Sequence, residues 1–396
     1  MSAAIVNLTF IAVILLIGII CSIISLKTKI SSVLLLLVAG IVLGNLRYKG
    51  EQLLSFAPET VATVAVLAIA VIVFHGASRL KLKEFDQFAM TSAKLSLVFL
   101  FFCMAGVTAF AYYFIGFSIF NSLILGALMA ATAPEVVLGA FGDLKTKAIE
   151  ILDIESIVNT PLIFIIPFII LDFQKTVGPF VFESFFEQIL PFFQQIFVGI
   201  GSGVVIGLIV FKIMRKYYSN IVSPIAIVTA ALLTYGLAES ISGNGVLGVT
   251  TLGIMFGTVY VKEKTELESF SLILSNLLRI LVFILVGMMI NIYLGTEALL
   301  FSLALFLFIL LLRFAAISIS LGKDYNAKEK VFMTFVSPKG AAVATVALIF
   351  STLAFPGASE LIDITLLIMF YSIIVSSIFS MYPKKFSRPV DLSKKR

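Results

Sequence analysis

SLILGALMAATAPEVVLGAF, running from Ser122 to Phe141, is apolar on every side except at its centre, where Thr132-Ala133-Pro134-Glu135 interrupts it. Proline removes a backbone donor and clashes one turn back, so a helix through this stretch should unwind at the interruption. A second stretch has the same construction: Ser337-Pro338-Lys339-Gly340 stands inside an apolar run over roughly 329–353. About twenty apolar residues cross a hydrocarbon core. That template fits thirteen times, at roughly 4–25, 30–46, 58–78, 92–116, 120–141, 150–173, 187–213, 222–240, 244–260, 270–292, 296–320, 329–353 and 360–380. The interrupted stretches are the fifth and twelfth of these. Seven spans apart, they cross the membrane in opposite directions. Spans four to six and eleven to thirteen then read as an inverted repeat whose two broken helices cross at mid-membrane, the construction of many secondary transporters. A pair of ordinary proline kinks is the plainer alternative; matching depth and polar neighbours in both stretches favour the crossing.

Composition agrees with a bilayer as solvent. The 396 residues are 60% hydrophobic and 13% charged, with a mean hydropathy of +1.14, far from the balance of a soluble domain. Membrane barrel strands would alternate apolar and polar residues, whereas Ile11 to Ile20, Leu97 to Phe102 and Leu303 to Leu312 do not. The expected fold class is therefore an all-α polytopic membrane protein of about thirteen transmembrane helices. The apolar N-terminus lacks an A-x-A cleavage site and reads as a retained first helix. Cys21 and Cys103 fall inside apolar runs and read as packing residues.

Basic residues alternate between loop sets. Lys27, Lys29, Arg79, Lys81, Lys83, Lys94, Lys145, Lys147, Lys212, Arg215, Lys216, Lys262, Lys264, Lys323, Lys328, Lys330 and the tail 382–396 fall on one side. Arg47, Lys49 and Lys175 fall on the other. The rule that cytoplasmic loops are rich in Lys and Arg places the N-terminus outside and the basic tail in the cytoplasm of a cell (inner) membrane. The net charge of +6 is accounted for by these loops, so the expected partners include the lipid bilayer and no nucleic acid.

Ionisable residues are costly in the bilayer core, and each is a functional candidate. Asn159 and Thr160 lie near the midplane of the sixth span; Glu155 stands about 8 Å nearer the cytoplasm, at the depth of Arg313 in the eleventh. Glu155 and Arg313 are expected to form an ion pair, with tying two helices together the favoured role. Glu135, one turn from Thr132 and near Lys339 of the other broken helix, is the leading candidate for a proton-carrying group. Arg279 is near mid-depth, as a partner for these acids or as a snorkelling cation. His75, the single histidine, is a candidate pH sensor or else a solvated helix end. With no HExxH, Walker A or GxSxG pattern, an enzyme is not expected, and neither a cofactor nor a resident metal is called for.

Several of these segments have a shared character. Tyr235-Gly236-Leu237-Ala238-Glu239, continued by Gly243, Gly245 and Gly248, then Gly253 and Gly257, resembles the Y-x-x-A-E-x-x-x-G-S-G pattern of the monovalent cation:proton antiporter superfamily, most closely its thirteen-helix prokaryotic sodium/proton type. Glu155-Ser156-Ile157-Val158-Asn159 is similar to that family's E-S-x-x-N, and Val286-Gly287-Met288 and Arg313 also fit it. The departures fall on the ion site. Where the family has T-D-P, this chain has Thr132-Ala133-Pro134. Where the family has N-D-P, it has Asn159-Thr160-Pro161. Span three carries His75 in place of an acid, and Lys339 replaces the arginine of P-R-G.

The resemblance implies a cation (sodium or potassium):proton antiporter, a homodimer in which a core bundle, about 92–173 and 296–380, moves against a dimerisation panel, about 4–78 and 187–292. It places the ion and proton site at Thr132, Glu135, Ser156, Asn159 and Thr160. Threonine cannot titrate, so the carboxylate on which exchange depends in the family is missing at position 160. Glu135 is the candidate replacement. A carrier of another small solute or anion on the same scaffold, and a non-transporting membrane sensor, are the alternatives.

Overall fold

The structure, a computed structural model, describes residues 3–28, 30–48, 51–52, 54, 56–79, 87–133, 136, 146–176, 184–258, 263–290, 295–322 and 325–381. In hydrocarbon every backbone polar group needs an internal partner, and the apolar runs accordingly close into helices. They are α1 (Ala3–Thr28), α2 (Ser32–Asn45), α3 (Pro58–Ser78), α4 (beginning as Gln87–Phe102), α5 (Ile119–Met129), α6 (Lys147–Thr176) and α7 (Ser184–Lys216). There follow α8 (Val222–Ser240), α9 (Gly245–Thr258), α10 (Lys264–Met289), α11 (Thr296–Leu321), α12 (Ala327–Phe335), α13 (Ala341–Phe350) and α14 (Ala358–Ser380). Among the described residues nine helices are long and apolar enough to cross a membrane, and four shorter apolar ones complete a set of thirteen. The chain is a multi-pass membrane protein. Outside the helices, among the described residues, lies one antiparallel ladder of two residues a side, Arg47–Tyr48 with Glu51–Gln52.

The described helices of the fifth and twelfth spans end or divide at the interruptions the sequence marks. Helix α5 stops at Met129, three residues before Thr132-Ala133. The twelfth span is divided into α12 and α13 around Ser337-Pro338-Lys339-Gly340. Asn326 starts α12 with a capping box, its side chain accepting from Glu329 N at 2.8 Å while the Glu329 carboxylate accepts from Asn326 N at 2.9 Å. The fourth span is irregular in a way the sequence does not suggest: α4 continues through π-helical Cys103–Val107, one α-turn at Thr108–Phe110, and π-helical Ala111–Ile115. Gly126 of α5 sits against Thr108 and the Cys103 carbonyl in this region.

Helices α4, α5 and α6 pack on one another, and so do α11, the α12–α13 pair and α14; α4 also lies along α11. Separately, α2 packs on α10, α3 on α9 and α10, and α7 and α8 on α9. Backbones approach closely there. Gly40 and Gly287 face each other so that a Cβ on either would strike the other helix's backbone. Gly199, Gly203 and Gly207 form the stripe along which α7 meets α9. The seam between the two sets of helices is made by α3 with α6 and α13, and by α10 with α13.

Candidate functional site

The two breaks meet. Ala133 N donates to the Pro338 carbonyl at 2.8 Å, a bond between the interrupted segments themselves. The last carbonyls of a helix have no partner within it and carry the negative end of its dipole. At the end of α5 that position is taken by Lys339, whose Nζ donates to Met129 O at 2.6 Å and Ala131 O at 2.7 Å. Its own backbone N donates to Ser372 Oγ at 2.9 Å, and the residue is 2% exposed. Gly340 follows, so close to Ala133 that a Cβ there would overlap the alanine's. Glu135, which the sequence places near Lys339, lies outside the described residues.

Beside this crossing is a cavity of about 130 Å³. Thr132, Ser156, Asn159 and Thr160 line it on the α5–α6 side; His75, Arg79 and Arg279 line it on the α3–α10 side. Asn159, 1% exposed, donates through Nδ2 to Ala130 O at 2.7 Å and to Thr132 Oγ1 at 3.3 Å. A carbonyl oxygen only accepts, so the amide nitrogen must face Ala130 and the amide oxygen must face away. That Oδ1 has no hydrogen-bond partner among the described residues. Thr160 donates from Oγ1 to Ser156 O at 2.7 Å, leaving its oxygen lone pairs available. No Asp or Glu is among the described residues lining this cavity. His75 is half-buried in the wall, with Nδ1 unpartnered among the described residues.

Glu155 and Arg313 lie to one side of the cavity. Their side chains are 0% and 1% exposed and pair fork to fork, Nη1 to Oε1 at 2.5 Å and Nη2 to Oε2 at 2.7 Å. The Phe99 ring is close to two cations, 4.8 Å from the guanidinium of Arg313 and 5.2 Å from Lys339 Nζ.

A second cavity, of about 410 Å³, has no counterpart among the sequence expectations. Asp172, Gln195, Tyr235, Glu239 and Asn244 line it. Glu239 Oε1 accepts from Gly245 N at 2.8 Å, and Asn244 Oδ1 from Leu247 N at 2.9 Å, so part of the Tyr235 to Gly248 motif serves to start α9. The same three helices contribute to both cavities: α3 through Ile72 and Val66, α6 through Ile163 and Phe168, α13 through Ala342 and Ile349. Between these levels Ala68, Ile69, Phe164, Val343, Ala344 and Val346 are wholly buried. The seal spans about 7–10 Å of helix rise.

The same architecture occurs in known proteins. The family model described as "Sodium/hydrogen exchanger, transmembrane" matches residues 11–381. A sodium/proton antiporter of Halobacillus aidingensis is 25% identical over 93% of this chain and 95% of its own. One of Aphanothece halophytica is 24% identical over 67% of this chain, but the match spans only half of that relative's length. A potassium/proton antiporter of Shewanella is 21% identical over 80% of this chain and 56% of its own. Among solved structures, a sodium/proton antiporter of Methanocaldococcus jannaschii superposes with a TM-score of 0.78 at 19% identity, covering 96% of this chain and all of that one, and so shares the fold. With the family model spanning nearly the whole chain, this protein belongs to the sodium/hydrogen exchanger family.

Proposed function

We propose that the protein is a secondary active transporter exchanging a monovalent cation for protons through the cavity beside the crossing. The observation that carries this is the meeting of two broken helices, through Ala133 N and the Pro338 carbonyl, next to a cavity lined by Thr132, Ser156, Asn159 and Thr160. Relatives named as sodium/proton and potassium/proton antiporters support the same activity. The core bundle of about 92–173 and 296–380 moves against the panel of about 4–78 and 187–292, which also forms a homodimer. Two cavities stacked on either side of one apolar seal support such a movement, since a shift of α6 and α13 against α3 opens one and closes the other. Loop charge puts the N-terminus outside and the tail 382–396 inside.

Glu135 carries the proton in this scheme, two residues along the chain from the cavity-lining Ala133. Adding sodium, lithium or potassium to proteoliposomes holding a pH gradient is expected to dissipate it, and Glu135→Gln to abolish the response. Dissipation unchanged in Glu135→Gln removes Glu135 as the carrier; no response to any of the three cations overturns the antiport reading. One observation favours a second reading, a carrier for a small anion: Arg79, Arg279 and His75 line the cavity, and no Asp or Glu does among the described residues. Chloride or nitrate flux without cation-driven proton movement would establish it.

A further inference from the structure

We propose that the cavity beside the crossing selects a large, weakly hydrated monovalent cation, of the potassium or rubidium class, over sodium and lithium. The inference rests on the antiport reading above and concerns the identity of its cation.

The donor atoms decide it. The described residues lining this cavity that carry side-chain oxygens are neutral: Asn159 with its amide, and Thr132, Ser156 and Thr160 with their hydroxyls. Asn159 Oδ1 is the firmest of them. It belongs to a side chain 1% exposed, it is held in place by two bonds from its own Nδ2, and it has no hydrogen-bond partner among the described residues. A buried acceptor left without a donor costs free energy, and a bound cation relieves that cost. Thr160 Oγ1 spends its proton on Ser156 O and Thr132 Oγ1 accepts from Asn159, so lone pairs remain on both. These are oxygen donors, suited to an alkali cation.

Field strength then sets the order among alkali cations. A small ion holds its hydration shell tightly and needs strong negative donors to leave it. Neutral amide and hydroxyl oxygens return less of that cost than a carboxylate does, so the discrimination shifts toward the ion that is easier to dehydrate. The opposite wall sharpens the effect. Arg79 and Arg279 place guanidinium groups there, Arg79 with Nη2 2.9 Å from each carboxylate oxygen of Asp153. Position 160 lines the cavity and is next to Asn159 in sequence, so one substitution there changes the field without rebuilding the crossing.

The test is a cation series in proteoliposomes holding a pH gradient. Potassium and rubidium should reach half-maximal dissipation at concentrations about tenfold below sodium and lithium, a selectivity of about 1.4 kcal/mol. Thr160→Asp should lower the sodium and lithium values about tenfold and reverse the order. Asn159→Leu, which removes the unpartnered oxygen, should raise the potassium value. Thermal shift of the purified protein in choline buffer provides a second readout independent of transport: potassium should raise the Tm more than sodium does, and Thr160→Asp should invert that. A wild-type protein that prefers sodium or lithium in both assays overturns this inference and leaves antiport standing. Absence of cation-driven proton movement, with no cation-dependent Tm, overturns both.

Discussion

Glu155 and Arg313 are among the most deeply buried charges in the described structure, and their energetics separate a structural role from a transport role. Removing one partner of a buried pair strands the other, at about 3–5 kcal/mol, whereas replacing both with apolar residues of similar size is often neutral. Arg313→Met should therefore lower the Tm sharply, as should Glu155→Leu, while the double variant recovers most of the loss in a thermal melt. Transport retained by the double variant would make the pair a tie between α6 and α11. Transport lost in a well-folded double variant would give the pair a part in the exchange itself. At this scale the sequence is informative about depth and silent about contacts. Helix rise places Glu155 level with Arg313, and the two residues meet. Glu135, expected near Lys339, lies outside the described residues, and helix rise does not show that the ammonium is held by Met129 O and Ala131 O. The reason is physical: an unwound helix exposes backbone carbonyls as strong acceptors, and a side-chain pattern does not show them. His75 is similarly ambiguous, since a residue near a helix end is solvated or walled in according to neighbours distant in sequence, here Arg279 and Thr160 around the same cavity.

Among the elements, the broken spans are legible because proline inside an apolar run withholds a backbone donor, and the small polar residues around it offer the freed carbonyls no apolar packing to hold a helix straight. Their contact follows from the sequence only through opposite direction across the membrane; the Ala133 to Pro338 hydrogen bond gives it atoms. A compensating pair of substitutions checks it. Gly340→Ala drives a methyl into Ala133 and should cost about 1–3 kcal/mol, as overpacking of a filled core does. Ala133→Gly in the same chain removes the obstructing methyl and should restore most of the Tm. Failure of the second change to rescue the first would mean that the two breaks do not touch at these positions. The π-helical turns of α4 and the larger cavity stay hidden for a related reason. π-turns carry no distinctive composition, and Asp172 and Glu239 are far apart in sequence on different helices. The motif containing Glu239 is visible, but its part in starting α9 through Gly245 N emerges only when the chain turns back on itself.

For the whole molecule, the proposed movement of one helix bundle against the other would require contacts across the seam to break and re-form. Arg79, which ends α3, and Asp153, on α6, make such a contact: Nη2 lies 2.9 Å from both carboxylate oxygens, with side chains 40% and 34% exposed. Arg79 also lines the smaller cavity, so the pair stands at its mouth. A half-exposed pair contributes about 0.2–1 kcal/mol, enough to shift the balance between two conformations by a factor of about 1.4 to 5 without locking either. Asp153→Arg sets two like charges across the seam and should change turnover by that factor while leaving the half-saturating cation concentration nearly as it was. Arg79→Asp combined with Asp153→Arg rebuilds the attraction with its partners exchanged and should return turnover to the starting value. Salt screens exposed charges, so the difference between the single variant and the wild type should shrink between low and high ionic strength. A turnover insensitive to both single and double reversal would show that the pair stays intact through the cycle or contributes nothing to it, and the moving seam would then have to lie elsewhere than between α3 and α6.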